Sequence, residues 1–419
     1  MWNTNIKIVA VFFLLTLPFV GFSQQKVELH QRDFDQIYGL EFYFDGGSNS
    51  LNNKLLSMMS FGGFVDDKLK DDNLKRMKDK NLFGKNFDLK IYYEQKNRKL
   101  LGKKRMGFQA AFEWHNLQEF TFNKELYGLV FYGNKSTAGR PVDISATAFN
   151  SLNYYQLKAG LNRISKSKYS EYGFNIALNL GNNYNAATFD NTTFYTSPSG
   201  DSVVLEGNIN YLYRNLNGLP PFQINGLGAA LDLFYSYDNP RLFKLSVKAL
   251  NFGFIRWNKN SKQFIQSEPV VWQGLEVPNL LQMPDPVFDK SGSDSLKEYV
   301  EAHGKSAVYH SFTPATLAFE ISRFFTEDKM EGVLKFDYRF FSFYRPMVLL
   351  QANFYLKDKF VLSPNVSYGG WTNFNFGFEF RYKISDYGRL DIGTKYLGGY
   401  LFQKNFSGFG GFITFTYQI

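Results

Sequence analysis

The chain has 419 residues, no cysteine, 47 basic and 38 acidic residues, and 19% aromatic residues, yet its mean hydropathy is negative. The lack of cysteine excludes a disulfide framework, a thiolate metal site and a cysteine nucleophile. The net charge of +9 favours anionic membrane lipid and lipopolysaccharide phosphates as partners over nucleic acid, which an exported chain seldom meets. The alternative is a general compositional habit without function.

Residues 1–23 are predicted to form a secretory signal peptide. Lys7 supplies the basic region, and residues 8–20 form an apolar core that is short for a membrane span. Gly21 and Ser23 are small residues suited to cleavage after residue 23. The alternative is a membrane-anchor helix. We expect an exported chain.

Residues 24–36 are predicted to form a short periplasmic segment, and residues 37–419 an outer-membrane β-barrel. From residue 37 onward, apolar and polar residues alternate with a period of two, which indicates strands with two different faces. Each run is about ten residues long, the length of a tilted strand that crosses a bilayer. The alternation predicts about fourteen strands, beginning near residues 37, 87, 106, 153, 172, 226, 242, 315, 332, 347, 360, 373, 388 and 408.

The connections between these strands sort into two kinds. Four are long, over residues 47–86, 117–151, 183–224 and 257–312. Those in the alternate positions are short and rich in turn residues, as in Asp238-Asn239-Pro240. This asymmetry is typical of outer-membrane barrels, with short periplasmic turns and long outer loops. The predicted fold class is all-β: a transmembrane, antiparallel, up-and-down barrel of about 14 strands with an internal plug.

If the apolar face contacts lipid, the other face lines the lumen. The inward acids are then Asp88, Glu94, Glu113, Asp232, Glu320, Asp337, Glu379 and Asp391, and the inward bases are Lys90, Lys158, Lys244, Lys248, Lys335, Arg339, Arg381 and Lys395. Acids and bases balance, whereas an ion-selective pore tends to carry rings of one sign. We therefore expect a plugged or constricted lumen.

Two segments of the long loops could supply the plug. Residues 64–80 carry a weak amphipathic-helix pattern, for which a solvated loop helix is the alternative. Residues 264–283 are unusually apolar for an exposed loop. This second segment could line a hydrophobic ligand site, cover the barrel, dock a partner, or pack against the barrel rim. Its candidate lid or ligand residues are Phe264, Ile265, Val270, Val271, Trp272, Leu275, Leu280 and Leu281.

No catalytic, metal or cofactor motif stands out, so we expect no enzyme and no cofactor. Asp66 and its acidic neighbours lack the spacing of a calcium loop. His115 near Glu113 could be read as a catalytic pair, but no serine partner is evident.

The end of the chain, residues 413–419, alternates to the last position and resembles the signal by which the barrel-assembly machinery recognises its clients. The usual terminal residue there is Phe, and this chain has Ile419.

Three short motifs resemble an uncharacterised outer-membrane barrel family of the Bacteroidota. They are Phe131-Tyr132-Gly133-Asn134, Gly226-Leu227-Gly228-Ala229 and Leu250-Asn251-Phe252-Gly253-Phe254-Ile255. More distantly, the chain is similar to long-chain fatty-acid transporter barrels and to the PorP/SprF-type barrels associated with type IX secretion and gliding. Two classes of function remain open. The apolar segment 264–283 and the expected plug favour a plugged channel or transporter for small molecules, including hydrophobic ones. The balanced lumen and the lack of site chemistry favour a structural barrel that anchors a periplasmic or secretion partner, as in a gliding or type IX-like complex.

Overall fold

The computed structural model describes residues 36–100, 102–167, 169–214, 222–239, 242–273, 299–326, 329–356 and 359–419. Fourteen strands form one closed antiparallel barrel, as predicted. In chain order they are β1 (Gln36–Ser48), β2 (Asn81–Leu100), β3 (Lys103–Phe122), β4 (Ala148–Ile164), β5 (Ser170–Thr196), β6 (Gly226–Asn239), β7 (Phe243–Trp257), β8 (Ala315–Thr326), β9 (Met330–Phe340), β10 (Arg345–Leu356), β11 (Phe360–Gly370), β12 (Phe374–Lys383), β13 (Gly388–Thr394) and β14 (Phe409–Gln418).

Each strand pairs with the next, and the first and last strands close the barrel. The β1–β14 register runs from Gly46 opposite Phe409 to Ile37 opposite Gln418. Closure leaves no sheet edge in the hydrocarbon region, where an unpaired backbone group costs several kcal/mol. The predicted signal peptide lies outside the described residues and stays a prediction.

The two ends of the barrel differ, as the connection lengths predict. The end at which every connection is short, such as residues 384–387 between β12 and β13, is called the turn end. The other end, called the loop end, carries the four long connections over residues 49–80, 123–147, 197–225 and 258–314, together with the connections 341–344, 371–373 and 395–408.

The long connections contain additional strands that the alternation did not predict. β5 continues beyond its barrel neighbours, and its last residues pair with the strand Ser202–Tyr213. That strand pairs in turn with Lys262–Gln266 and Val270–Gln273, and the resulting structure is called the loop sheet. Shorter strands in the same connections are Pro141–Asp143, Lys305–Ser306 and His310–Phe312.

Three helices cover part of the loop end: α1 (Asn53–Phe61), α2 (Asp67–Leu74) and α3 (Lys124–Tyr132). A side-chain oxygen caps the start of each, from Asn52, Asp66 and Asn123, which satisfies a free backbone N–H of the first turn. Their apolar residues form one buried cluster: Leu51, Leu55, Leu56, Leu69, Phe122 and Tyr127. A short helix, α4 (Leu397–Leu401), lies between β13 and β14, and a 3-10 turn spans Lys135–Thr137.

The outer face of the barrel exposes a continuous set of apolar side chains: Leu40, Phe42, Ile91, Leu157, Ile176, Leu178, Leu231, Leu317, Val348, Leu350, Val366, Ile392, Ile413 and Phe415 are among them. Such an apolar surface is much larger than a soluble monomer exposes, so its natural surroundings are lipid chains. Among the described residues, no helix is both long and apolar enough to cross a membrane.

Candidate functional site

The turn-end half of the lumen holds a cavity of about 970 Å³. Ten acidic and eight basic side chains line it, so no single sign dominates. It reaches the turn end, where Glu331 and Tyr355 form part of its wall. Most of the charged residues predicted to face inward lie here: Asp88, Lys90, Glu94, Glu113, Lys158, Asp232, Lys244, Lys248, Glu320, Lys335, Arg381 and Asp391.

The four other residues predicted to face inward lie outside this cavity. Glu379 accepts a hydrogen bond from Gln351 at 3.0 Å. Arg339 and Lys395 lie nearer the loop end, as described below. Asp337 shares the inward face of β9 with Arg339, because residues two apart on a strand point to the same side.

Several cavity residues were not selected from the sequence: Glu41, Lys96, His115, Glu171, Asp238, Glu331 and Arg389. Glu41 lies between Leu40 and Phe42, which face outward, so the period of two would have placed Glu41 inside the lumen. Most of the others lie at strand ends near the turns, where the period of two is hard to recognise.

His115 bridges carboxylates on two neighbouring strands. Its Nδ1 lies 2.6 Å from Asp88 Oδ1, and its Nε2 lies 3.1 Å from Glu113 Oε2 and 3.0 Å from Gln156 Oε1. The imidazole also stacks on the Tyr154 ring, with 4.7 Å between centroids. Both ring nitrogens have protein partners, so the arrangement stabilises the wall and offers no vacant nitrogen to act as a base.

Lys158 is the centre of a second buried group. Its Nζ lies 2.9 Å from Glu113 Oε2 and 3.0 Å from Asp232 Oδ2, and it donates to Asn251 Oδ1 at 2.7 Å. These contacts connect β3, β4, β6 and β7. Since each buried charge of the group has an oppositely charged partner, the desolvation cost of the group is offset within the wall.

Lys248 is a different kind of cavity residue. Among the described residues it makes no ion pair, whereas the neighbouring Lys335 lies 4.0 Å from Glu320. Part of the cavity surface is therefore open to a polar solute rather than fully occupied by internal ion pairs.

Above the cavity, toward the loop end, apolar side chains close the lumen. Leu82, Leu117, Tyr344, Met347 and Trp371 form one buried cluster, called the plug layer. Leu117 is on β3 and Met347 on β10, seven strands apart in a ring of fourteen. Side chains from opposite walls therefore meet in the plug layer and close the lumen across its centre.

Trp371 reaches the far wall because that wall has a glycine. It lies in the connection between β11 and β12 and is fully buried. A Cβ added to Gly84 of β2 would lie 2.2 Å from the Trp371 ring. Only glycine leaves room for this ring. The residue at position 84 of β2 is therefore constrained by a side chain that comes from five strands away around the barrel.

The short connection between β9 and β10, residues 341–344, folds into the lumen. Glu119 of β3, on the opposite side, accepts hydrogen bonds from the Phe343 backbone N–H at 2.9 Å and from the Ser342 hydroxyl. This connection, called the tip, is thus hydrogen-bonded to a strand six or seven positions away around the barrel.

The same tip is held from a second side through Tyr344. Lys395 Nζ lies 3.4 Å from the Tyr344 hydroxyl and 3.2 Å from Asp45 Oδ2. The Arg339 guanidinium lies over the Tyr344 ring, 4.2 Å from its centroid. Tyr396 also donates to Asp45. Charged side chains of β1, β9 and the β13–β14 connection therefore hold the tip in place.

The plug layer thus combines strand residues with Tyr344 and Trp371 of two short connections, and the described parts of the two long-loop segments suggested by the sequence lie elsewhere. In residues 64–80, Leu69 packs in the helical cluster at the loop end. Phe264 is buried in the loop sheet against Tyr213 and Val300. The other candidate lid residues fall into three groups: Ile265, Val271 and Trp272 are exposed, Val270 is half-buried, and Leu275, Leu280 and Leu281 lie outside the described residues. None of the described ones lines the cavity or the plug layer.

Within the described ranges, no group of three His, Asp or Glu side chains is arranged to hold a metal ion. Asp66 accepts a hydrogen bond from the Leu69 N–H at 2.7 Å, which is the geometry of a helix cap.

A sequence model of the family of unknown function DUF5723 matches residues 37–387. The chain belongs to this family. A search of curated proteins found no match to this DUF5723 protein.

Solved structures with similar folds include a deltaS2S3 mutant of the monoaromatic hydrocarbon channel TodX, with 8% identity, 92% of this chain and 91% of that chain covered, and a TM-score of 0.48. The toluene transporter TbuX of Ralstonia pickettii has 9% identity, 92% and 90% coverage, and a TM-score of 0.45. A FadL homologue of Pseudomonas aeruginosa has 6% identity, 92% and 90% coverage, and a TM-score of 0.43. At these identities and TM-scores, the likenesses say nothing about what the DUF5723 protein carries.

The matches include FadL-type barrels, the group to which a distant similarity was expected. The Bacteroidota origin and the likeness to PorP/SprF-type barrels stay predictions.

Proposed function

We propose that this protein is an outer-membrane transport barrel for small polar molecules, held in a closed state by its plug layer. The observation that carries the proposal is the division of the lumen into a charged cavity of about 970 Å³ and an apolar seal above it. The apolar outer face supports the membrane location, and the long loops would face the cell exterior.

A polar cargo fits the lumen better than the hydrophobic cargo considered from the sequence. The cavity wall carries charged and amide groups, and Lys248 is unpaired among the described residues. A hydrophobic molecule would desolvate these groups without replacing their hydrogen bonds, which is unfavourable. Because acids and bases are nearly balanced, neutral or zwitterionic solutes are favoured over ions of one sign.

The seal is built so that it can open without unfolding the wall. The tip over residues 341–344 and Trp371 lie in connections, and the backbone pairing of β9 with β10 and of β11 with β12 does not depend on their side chains. A displacement of these two connections would join the cavity to the loop end. We propose this displacement as the opening step.

Conductance in planar bilayers tests the proposal. The wild-type protein is expected to show no large, steady conductance. A Tyr344→Ala/Trp371→Ala variant, which removes the two largest side chains of the plug layer, is expected to show one. The matched control is Phe61→Ala/Phe64→Ala, which removes two exposed rings at the loop end, outside the tip and the plug layer. It should behave like wild type.

Uptake of neutral sugars, zwitterionic amino acids and toluene into proteoliposomes then identifies the cargo class. Faster uptake of the polar solutes through the opened variant supports the proposal. A large steady conductance of the wild-type protein would contradict a closed lumen. An opened variant that stays silent would place the closure elsewhere.

The second candidate is a structural barrel that anchors a secretion or gliding complex. The observation in its favour is the loop sheet, which projects at the loop end and exposes Ile265, Val271 and Trp272. This candidate would be supported if a partner co-purifies in a stoichiometric amount with the wild-type protein and no longer does so with an Ile265→Ser/Trp272→Ser variant. A Tyr344→Ala/Trp371→Ala variant that transports nothing would add to that support.

A further inference from the structure

The barrel wall is incomplete at one place on its outer face. β13 pairs with β14 only from Gly388 to Gly393, whereas β14 begins at Phe409. The first residues of β14, before Phe412, thus pair with β1 on one side and have no backbone pairing with β13 on the other. The missing strand partner leaves a gap in the side-chain cover of the wall.

Side chains replace the missing strand partner. The Gly410 N–H donates to the Tyr400 hydroxyl at 2.7 Å, and the Thr394 hydroxyl donates to the Gly410 carbonyl at 2.7 Å. Asn53 bonds both the N–H and the carbonyl of Gly408, at 2.9 and 2.7 Å. The backbone at the gap is satisfied, so the gap is a stable part of the fold and not a frayed strand end.

The gap forms an apolar groove of about 550 Å³, called the outer groove. Phe42, Phe378, Ile392 and Ile413 belong to the outward face of the barrel and line it, as do Leu397 and Tyr400 of α4. Its volume is within the range of about 300–1,000 Å³ found for small-molecule sites. The groove opens on the surface that contacts lipid chains.

The segment beside the groove, residues 397–406, lies on the outside of the barrel, whereas Lys395 and Tyr396 before it contact Asp45 inside the barrel. Phe406 packs against the outward-facing Phe376, with 5.5 Å between ring centroids. Leu401 and Phe402 nevertheless remain 66% and 52% exposed. Apolar side chains that point away from the barrel at this position are expected to enter the lipid layer rather than water.

Basic side chains surround the same segment. Arg76 donates to the Lys404 carbonyl at 3.1 Å, and the Lys54 N–H donates to the Gln403 carbonyl at 3.0 Å. Among the described residues, none of the cations Lys54, Arg76 and Lys404 has a carboxylate within ion-pair distance. Uncompensated positive charge next to an apolar groove is complementary to a lipid that has both acyl chains and a phosphate.

We propose that the outer groove binds one acyl chain of a phosphorylated outer-leaflet lipid, of the lipid A type, whose phosphate contacts Lys404 and Arg76. The proposal rests on the outer-membrane location and orientation given above, and not on transport. The lipid would fill the gap at β13 and join the barrel wall to the helices at the loop end.

Binding of lipid A and of phosphatidylethanolamine to the delipidated barrel, in a non-ionic detergent, tests this. The wild-type protein is expected to retain lipid A in native mass spectrometry and to prefer it to phosphatidylethanolamine. Ile392→Trp fills the groove and should weaken lipid A binding by at least about tenfold. Ile176→Trp, the same exchange on the outer face of β5, should leave it unchanged. Leu397→Trp is the second groove variant if Ile392→Trp fails to fold.

Charge reversal tests the contact with the phosphate separately from the contact with the acyl chain. Arg76→Glu/Lys404→Glu should remove the preference for lipid A, whereas Lys99→Glu/Lys104→Glu at the turn end should keep it. Equal affinity of the wild-type protein for both lipids, or lipid A binding that neither the groove variant nor the charge variant weakens, would overturn the proposal. Binding is measured only on variants whose unboiled form migrates faster on a gel than the boiled form, as a folded barrel does, so these outcomes do not depend on whether the barrel transports anything.

Discussion

Gly84→Ala is predicted to destabilise the barrel through a single contact, with the Trp371 ring. The added Cβ would lie 2.2 Å from the ring, and ordinary contact begins at 3.4 Å, so the ring must retreat by about 1.2 Å. Trp371 is fully buried between opposite walls and has little room to do so. Overpacking of this kind costs about 1–3 kcal/mol.

A double-mutant cycle isolates the contact. Trp371→Ala alone should cost about 3–5 kcal/mol, the usual loss for a buried aromatic residue. In the Trp371→Ala background, Gly84→Ala should cost almost nothing, because the clashing ring is gone. Gly128→Ala, where an added Cβ meets no atom within 4 Å, is the control for glycine replacement.

The cycle is measured as the guanidinium midpoint at which the unboiled, fast-migrating gel band disappears. Additive effects of Gly84→Ala and Trp371→Ala would refute the reasoning, since two residues without contact change stability independently. Such a result would also remove the basis for a seal that crosses the lumen.

Two further predictions concern charge. Lys158→Met should lower the free energy of unfolding by about 3–5 kcal/mol, because it leaves the buried Asp232 without an ion pair among the described residues and removes the shortest ion pair of Glu113. Lys335→Met, whose one ion pair among the described residues is long and partly exposed, should cost about 1 kcal/mol or less in the same assay. At the loop end, burial and the hydrogen bond to Asp71 raise the pKa of Tyr132 to about 12. The contact between α2 and α3 should therefore be intact below pH 10 and lost as the pH rises toward 12, followed by phenolate absorbance and by protease cleavage of the connection 62–66. Tyr132→Phe should remove this pH step, and a step that persists would assign it to another group.

The sequence predicted the barrel well because its main determinant is local. Alternation over about ten residues is readable in each strand, and all fourteen predicted strands are present. The inward face followed from the same period, which placed residues such as Lys158 and Asp232 on the cavity wall. The difference between long and short connections could also be predicted, because it depends only on where neighbouring strands begin and end.

The plug layer could not be predicted in this way. The tip over residues 341–344 and Trp371 read as ordinary turn sequences, and their partners Glu119 and Gly84 fell within the predicted long connections 117–151 and 47–86. These pairs are distant in the sequence and become neighbours only when the ring of strands is closed. The segment 264–283 was a candidate for the plug because it is unusually apolar for an exposed loop. Its described part instead belongs to the loop sheet, where Phe264 is buried.

The pairing of β1 with β14 has a consequence for biogenesis. Its backbone partners are 363 to 381 residues apart in the chain, and Gln36 and Ile419 exchange two hydrogen bonds at 2.9 and 3.0 Å. Contacts of such long range form late, after the loop-closure entropy of nearly the whole polypeptide has been overcome. Until then the nascent sheet has two open edges that can pair with other chains. We therefore expect insertion to require β14. A chain that stops before β14 still has thirteen strands of correct sequence, but it cannot close into a barrel in the membrane.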